Sequence, residues 1–258
     1  MKESISNNNK SNRKDNLQVA LSCVAFLIIW EVIALVIKND IYLPTIGQTL
    51  NSLKEIIIEK RFYIDVLLTV MRTSISFLVA FIVALILGLL SYSFRVVRNF
   101  LKPLNALVQS IPNMVLIVLA LIWFNKDNTP YIVGFAVVFP ILYETTLGAM
   151  SGIDKGTLEM AKIYNISTMD KILKIYIPSI KFRLMPVLIS TFSLAFKVVI
   201  AGEVHGQPKY GIGTMIQIEK INFNTSGVFA WLMVILIISL ILELIKQFIL
   251  RRTFIWKR

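Results

Sequence analysis

Six charged side chains interrupt long apolar runs in this sequence: Glu31, Arg72, Glu144, Lys197, Glu203 and Glu243. An ionisable group at membrane depth is costly, and by default it marks a solute pathway, an ion pathway or a buried pair. Arg72, Glu144, Glu203 and Glu243 fall near the ends of their runs, where snorkelling or water contact accounts for a charge. Glu31 and Lys197 fall deeper. A cation at Lys197 suits an anionic solute; pairing with a carboxylate such as Glu31 for packing is the competing account.

Covalent chemistry has little to draw on. The chain holds one histidine, His205, and one cysteine, Cys23. A Ser-His-Asp arrangement would depend on His205, which lies at the end of an apolar run. A zinc site takes about four ligands, mostly Cys and His, so no metal site is expected. No G-x-x-x-x-G-K-[ST] phosphate loop occurs, so nucleotide hydrolysis would have to come from another chain.

The elements that must position these residues follow from composition. Of 258 residues, 56% are hydrophobic and 16% charged, with mean hydropathy +0.73. Soluble domains run at roughly 45–50% apolar and about 25% charged. The chain therefore reads as an all-α membrane protein with short loops. Runs long enough to cross a bilayer lie near 17–37, 66–94, 104–124, 131–150, 186–204 and 228–250. These make six spans in one transmembrane domain, 17–258. The Asn-rich segment 1–16 reads as a disordered tail. The apolar run after it is too long for a signal-peptide core and lacks a small-x-small cleavage site, so it reads as an uncleaved anchor.

The net charge of +12 does not point to nucleic acid, because the basic residues sit in short blocks between spans. With a cytoplasmic N-terminus, segments 1–16, 94–102, 151–185 and 246–258 hold 18 Lys and Arg, against 7 on the other side. That asymmetry predicts both termini inside and a cytoplasmic 151–185 loop.

Local signals refine the spans. Thr45-x-x-Gln48 has capping-box spacing. Ile46, Leu50, Leu53 and Ile57 follow at helical spacing, predicting an amphipathic helix at the interface or packed on the bundle. Ala80, Ala84 and Gly88 form a small-residue stripe suited to close helix packing, within one chain or across a dimer. Pro112 predicts either a kink or a broken helix lining a cavity.

The most punctuated stretch is 154–178. Asp154 can cap a short helix containing Leu158, Glu159, Ala161 and Lys162. Asn165 falls where that helix stops, and Asn tolerates the left-handed conformation of a helix end. Ser167-x-x-Asp170 has the spacing of a second cap. Met169, Ile172, Leu173, Tyr176 and Ile177 then share one face, and Pro178 is expected to end the helix. Such a hairpin could pack on its own bundle, lie on lipid or dock in a partner's groove.

This stretch resembles the EAA loop of permease subunits of binding-protein-dependent ABC importers. That pattern is Glu-Ala-Ala, three residues, Gly, nine residues, Ile-x-Leu-Pro. Here it reads Glu159-Met160-Ala161, three residues, Asn165, nine residues, Ile175-Tyr176-Ile177-Pro178. The spacing is kept; Met160, Asn165 and Ile177 depart in type. Leu43-Pro44-Thr45, the 69–90 span, KPLNALVQSIPNMVLIVLALIWF and AGEVHGQPKYGIGTMI resemble the nitrate/sulfonate/taurine/bicarbonate branch of these permeases, over roughly residues 40–250.

The resemblance implies a type I importer permease fold in the plasma (inner) membrane of a bacterium, with 154–178 as a coupling hairpin. Glu159, Met160, Ala161, Asn165, Ile175 and Pro178 would face an ATP-binding subunit, present in two copies and using the ATP. It further implies a homodimer and an extracytoplasmic substrate-binding protein. The span carrying Lys197 would line part of the translocation path; Pro112, from the break its own residue type predicts, is the other path candidate. The implied cargo is a small anionic or polar solute: a sulfonate, taurine, nitrate, bicarbonate or a thiamine-precursor pyrimidine. A secondary transporter is the alternative, although it would be expected to show internal repeats, and none is visible. A membrane-embedded enzyme would need catalytic groups converging within a span.

Overall fold

In a bilayer each backbone N–H and C=O needs a partner within the protein, and a helix supplies them locally. The computed structural model describes the backbone of residues 2–253; Met1 and 254–258, parts of the two terminal basic segments, lie outside the described residues. All regular structure among the described residues is helical. Five helices are long and apolar enough to cross a membrane, and a sixth span arises only if one bent pair is counted as a span. The contacts group the chain into two units.

The first unit combines the chain up to Glu59 with Glu219–Met233. Its first helix, α1, covers Lys2–Ile37 and takes in the segment expected to be disordered. No Gly or Pro breaks it, and the apolar half provides a nucleus from which helix can propagate backwards. Only 6% of the most apolar window of its 17–37 stretch is buried, so that stretch presents an almost wholly apolar surface. Cys23 is a free, exposed thiol on it. The Trp30 indole donates to the Pro44 carbonyl at 2.9 Å. The Glu31 carboxylate accepts the Ile46 N–H at 2.8 Å. Glu31 thus helps start α2, Ile46–Ile58, alongside the expected capping box. Thr45 Oγ1 accepts the Gln48 N–H, and Gln48 Oε1 accepts the Thr45 N–H. The packed face of α2 is turned slightly from the expected one: Thr49 is buried and Leu50 and Ile57 are exposed. Ser52 donates to Ser226 and Thr225 to the Ile41 carbonyl, closing this unit on itself.

The second unit, Lys60–Ile218 with the chain from Val234, begins with α3 (Lys60–Ser93), α4 (Arg95–Ser110), α5 (Asn113–Trp123) and α6 (Thr129–Ser151). It continues with α7 (Lys155–Ile163), α8 (Thr168–Lys171), a π-helical turn (Ile172–Tyr176) and α9 (Ile177–Gly206). Helices α10 (Ile212–Ile221) and α11 (Thr225–Thr253) each contribute residues to both units. The core lies among α3, α4, α6 and α9, around Ala80, Ala84, Val138, Leu142, Tyr143, Leu147, Leu184 and Ala195. Half of the α6 window is buried, which makes α6 the most enclosed span. The small-residue stripe on α3 is used inside the chain. A Cβ placed on Gly88 would lie 2.7 Å from the Thr146 methyl of α6, so only hydrogen fits there.

Two expected spans come out differently. The 104–124 run is divided between α4 and α5, bent by 106° at Ile111-Pro112. At 11 residues, α5 is about 16 Å long, roughly half of a bilayer core. The 186–204 run is the end of a longer helical stretch, Thr168–Gly206. Pro178 does not terminate the helix before it. A proline within regular α-helix loses one hydrogen bond and clashes with the carbonyl four residues back. Here the preceding turn widens to π geometry, with the Ile177 N–H bonded to the Ile172 carbonyl, and Pro178 sits in the first turn of α9.

Candidate functional site

The 154–178 hairpin is built by local hydrogen bonds. The Asp154 carboxylate accepts the Thr157 N–H at 2.9 Å and starts α7. At the other end, Asn165 has φ 48°. The Ile166 N–H reaches the Ala161 carbonyl at 3.0 Å, and the Asn165 N–H reaches Lys162 at 3.1 Å. That pair of bonds around a left-handed residue is the Schellman ending, normally made with Gly. Ser167 Oγ then accepts the Asp170 N–H at 3.1 Å and donates to the Asp170 carboxylate at 2.8 Å. The turn is therefore held at two caps two residues apart.

The expected docking residues divide into two groups. Glu159 and Met160 are exposed on α7, Ala161 is buried at 1% exposure, and Asn165 is exposed at the turn. Ile175 and Pro178 are half-buried on the far side of the turn. Ile163, Tyr164, Met169 and Leu173 are exposed as well. A hairpin with charges at Lys155, Glu159 and Lys162 thus also carries an open apolar surface.

The break at Pro112 adjoins a cavity of about 280 Å³, lined by Val108, Ile111, Asn113, Val137, Pro140 and Leu194 among others. Non-helical backbone at membrane depth is tolerated where it lines such a space. The Pro112 carbonyl accepts from Val115 and Leu116 and so starts α5. Lys197 is one turn from Leu194 but does not line this cavity. Its side chain is exposed, with no carboxylate in ion-pair range among the described residues. Lys197 lies about 28 Å along α9 from Pro178, at the opposite end from the hairpin.

Arg72 and Glu203, expected to be accounted for by water or snorkelling, are instead buried together. Arg72 Nη1 is 2.7 Å from Glu203 Oε1 and donates to the Tyr210 carbonyl at 2.6 Å. Thr69 Oγ1 lies 2.9 Å from Glu203 Oε2 and accepts the Ile212 N–H. Glu203 Oε2 also accepts the Gly213 N–H, and Asp65 Oδ1 accepts the Gly211 N–H at 2.7 Å. Gly211 has φ +148°, and a Cβ there would meet the Glu203 carboxyl carbon at 2.6 Å. Two carboxylates and an arginine thus hold the 210–213 backbone against α3. The Gly-x-Gly at 211–213 was the available sequence signal, since backbone approaching a side chain this closely excludes a Cβ. Among the described residues, no group of three or more potential ligands could hold a metal.

These features define a multi-pass helical membrane protein with a punctuated polar hairpin between two spans, a broken helix beside a cavity and a loop pinned by a buried ion pair. Residues 62–255 match the family described as binding-protein-dependent transport system inner membrane component, and the chain belongs to that family. It is similar to a putative ABC transporter permease protein of Methanocaldococcus jannaschii, 26% identical over 248 residues, covering 94% of this chain and 92% of that protein. It is also similar to the putative aliphatic sulfonates transport permease protein SsuC of Bacillus subtilis, 21% identical over 232 residues (89% and 83%). The nitrate import permease protein NrtB of Synechococcus elongatus is 23% identical over 190 residues (69% and 68%). The chain is the permease subunit of an ABC importer, with the type I permease fold. An ATPase and a binding protein are implied as its partners.

Proposed function

We propose that this permease imports a small anionic solute of the sulfonate or nitrate kind, and that the 154–178 hairpin is where an ATP-binding subunit docks. The observation that carries the docking reading is the hairpin itself: two capped ends, EAA spacing and apolar side chains left open at Met160, Ile163, Tyr164, Met169 and Leu173. A rigid hairpin transmits displacement where a flexible loop would absorb it. Glu159, Met160 and Asn165 form the near side of the docking surface, with Ala161 buried beneath them as the support of α7 and Ile175 and Pro178 on the far side. The permease pairs as a homodimer with two ATP-binding subunits, which use the ATP, and receives solute from an extracytoplasmic binding protein. This chain binds no cofactor of its own. The 18-to-7 distribution of basic residues supports cytoplasmic termini and a cytoplasmic hairpin. The cavity at Pro112 and the exposed Lys197 are the path candidates, and a lone cation favours an anion.

The test is purification with the ATP-binding subunit and uptake by vesicles supplied with binding protein. The two chains are expected to co-elute, and the combination Glu159→Arg with Met160→Asp, both exposed positions, is expected to abolish co-elution. Uptake that persists without ATP would overturn the reading in favour of secondary transport. Lys197→Met is expected to lower anion uptake at least tenfold while leaving co-elution intact. Unchanged uptake removes Lys197 from the path.

A further inference from the structure

We propose that the cavity between α4 and α6, lined by Arg95, Arg98, Asn99 and Lys102, holds the phosphate headgroup of an anionic phospholipid. The cavity measures about 350 Å³, at the lower end of small-molecule pockets, roughly 300–1,000 Å³. Its floor is apolar and aromatic, from Tyr143 and Leu147 of α6. The Tyr143 hydroxyl is already engaged, donating to Ser91 at 2.9 Å.

The polar lining comes from one face of α4. Positions 95, 98, 99 and 102 are related by three, four and seven residues, so they stack on one side over about 10 Å. Three cations thus line the cavity against one carboxylate, Glu144. One oxygen of that carboxylate is taken up by the Asn105 amide at 3.0 Å. Among the described residues, none of the three cations has a carboxylate in ion-pair range. A cavity with unneutralised arginines recognises a phosphate diester, since the guanidinium fork matches two of its oxygens.

The opposite side of α4 separates a lipid from a free phosphate ion. Val96, Phe100, Leu104 and Leu107 recur there at four, four and three residues, and they are 81%, 73%, 49% and 61% exposed. Helix α4 also turns away from α5 by 106°, as a helix lying in the interface would. A soluble anion uses only the cationic side. A helix whose apolar side lies among acyl chains holds its cationic side at headgroup depth, where the phosphate in reach belongs to a membrane lipid. The inference stands apart from ATPase docking. The proposed orientation would put the site on the cytoplasmic leaflet, where anionic lipid attracts basic segments.

The experiment is lipid retention by the purified full-length permease in detergent micelles, where neither sidedness nor the ATPase enters. Phosphatidylglycerol and phosphatidylcholine are supplied in equal amounts, and bound lipid is read by native mass spectrometry. The expected result is a preference for phosphatidylglycerol on the order of 100-fold. Arg95→Gln, Arg98→Gln and Lys102→Gln together should abolish it, and Arg98→Gln alone should weaken it. All three positions are exposed, and monodisperse elution confirms folding. Lys54→Gln, Lys126→Gln and Lys220→Gln remove the same charge elsewhere and should leave the preference intact. Equal retention of the two lipids, or a preference that survives the first triple variant, overturns the proposal. Displacement of the lipid by millimolar inorganic phosphate also overturns it, by making the site one for a free anion.

Discussion

Arg72→Met is expected to destabilise the permease by about 3–5 kcal/mol, the usual cost of leaving one partner of a buried ion pair uncompensated. Glu203 is fully buried, and its only cationic partner among the described residues is Arg72, at 2.7 Å. The remaining contacts, from Thr69 and Gly213, are neutral donors that cannot cancel a charge. A change of that size lowers the apparent melting midpoint by roughly 10 °C in a domain of this length. The diagnostic comparison is the double variant Arg72→Met with Glu203→Gln. It removes both charges yet keeps an acceptor for the Gly213 N–H, so it is expected to recover most of the loss. A double variant as unstable as Arg72→Met alone would mean that the arginine acts through its bond to the Tyr210 carbonyl and not through charge. Thermal unfolding of all three proteins in one detergent separates these outcomes.

The pair also has a mechanical consequence. Glu203 is in the last turn of α9, Arg72 and Thr69 are on α3, and the 210–213 backbone is bonded to all three. The bonds of Glu203 to Arg72, Thr69 and Gly213 and that of Thr69 to Ile212 are buried from competing water, and the one from Arg72 to the Tyr210 carbonyl is partly so. These bonds tie this end of α3 to this end of α9 through the 210–213 backbone. The connection after α9 starts with Gln207 in left-handed geometry, its N–H on the Glu203 carbonyl at 2.8 Å. It is a strut between helices and not slack.

How far the sequence could be read depends on how local each cause is. The capping box at Thr45 and Gln48, the left-handed turn at Asn165 and the caps at Asp154 and Ser167 each involve residues three to five apart, and all are legible. The Arg72–Glu203 pair joins positions 131 residues apart, and no periodicity links them. Each charge taken alone fits the snorkelling account, and only the partner turns it into a buried bond. Pro178 misleads for another reason. Its local rule assumes α geometry before it, and the π turn removes that assumption. Pro112 shows the reverse: the residue predicts a break, while the 106° angle depends on how α4 and α5 pack against α6. The Ala80-Ala84-Gly88 stripe declares close packing without naming the neighbour, which proves to be α6 of the same chain.

The second large effect is expected at Asn165, where the family pattern has Gly. The residue has φ 48°, a region that costs an ordinary L-residue roughly 1–2 kcal/mol and a β-branched one more. Asn165→Gly removes that cost and should leave ATPase-subunit binding and uptake at or above the parent level. Asn165→Val opposes the left-handed turn and with it the bonds from Ile166 to Ala161 and from Asn165 to Lys162. A penalty of 1–2 kcal/mol shifts the formed-to-unformed ratio by about 5–30-fold. Apparent affinity falls in proportion once the competent form becomes the minor one. Overall permease stability should change little, since Asn165 is exposed. Titration of the ATP-binding subunit against the three permeases in nanodiscs reads the effect directly. Equal affinity for the Val and Gly variants would show that the partner accepts the hairpin whatever its turn, and the docking role would then pass from the bend at Asn165 to the apolar side chains flanking it.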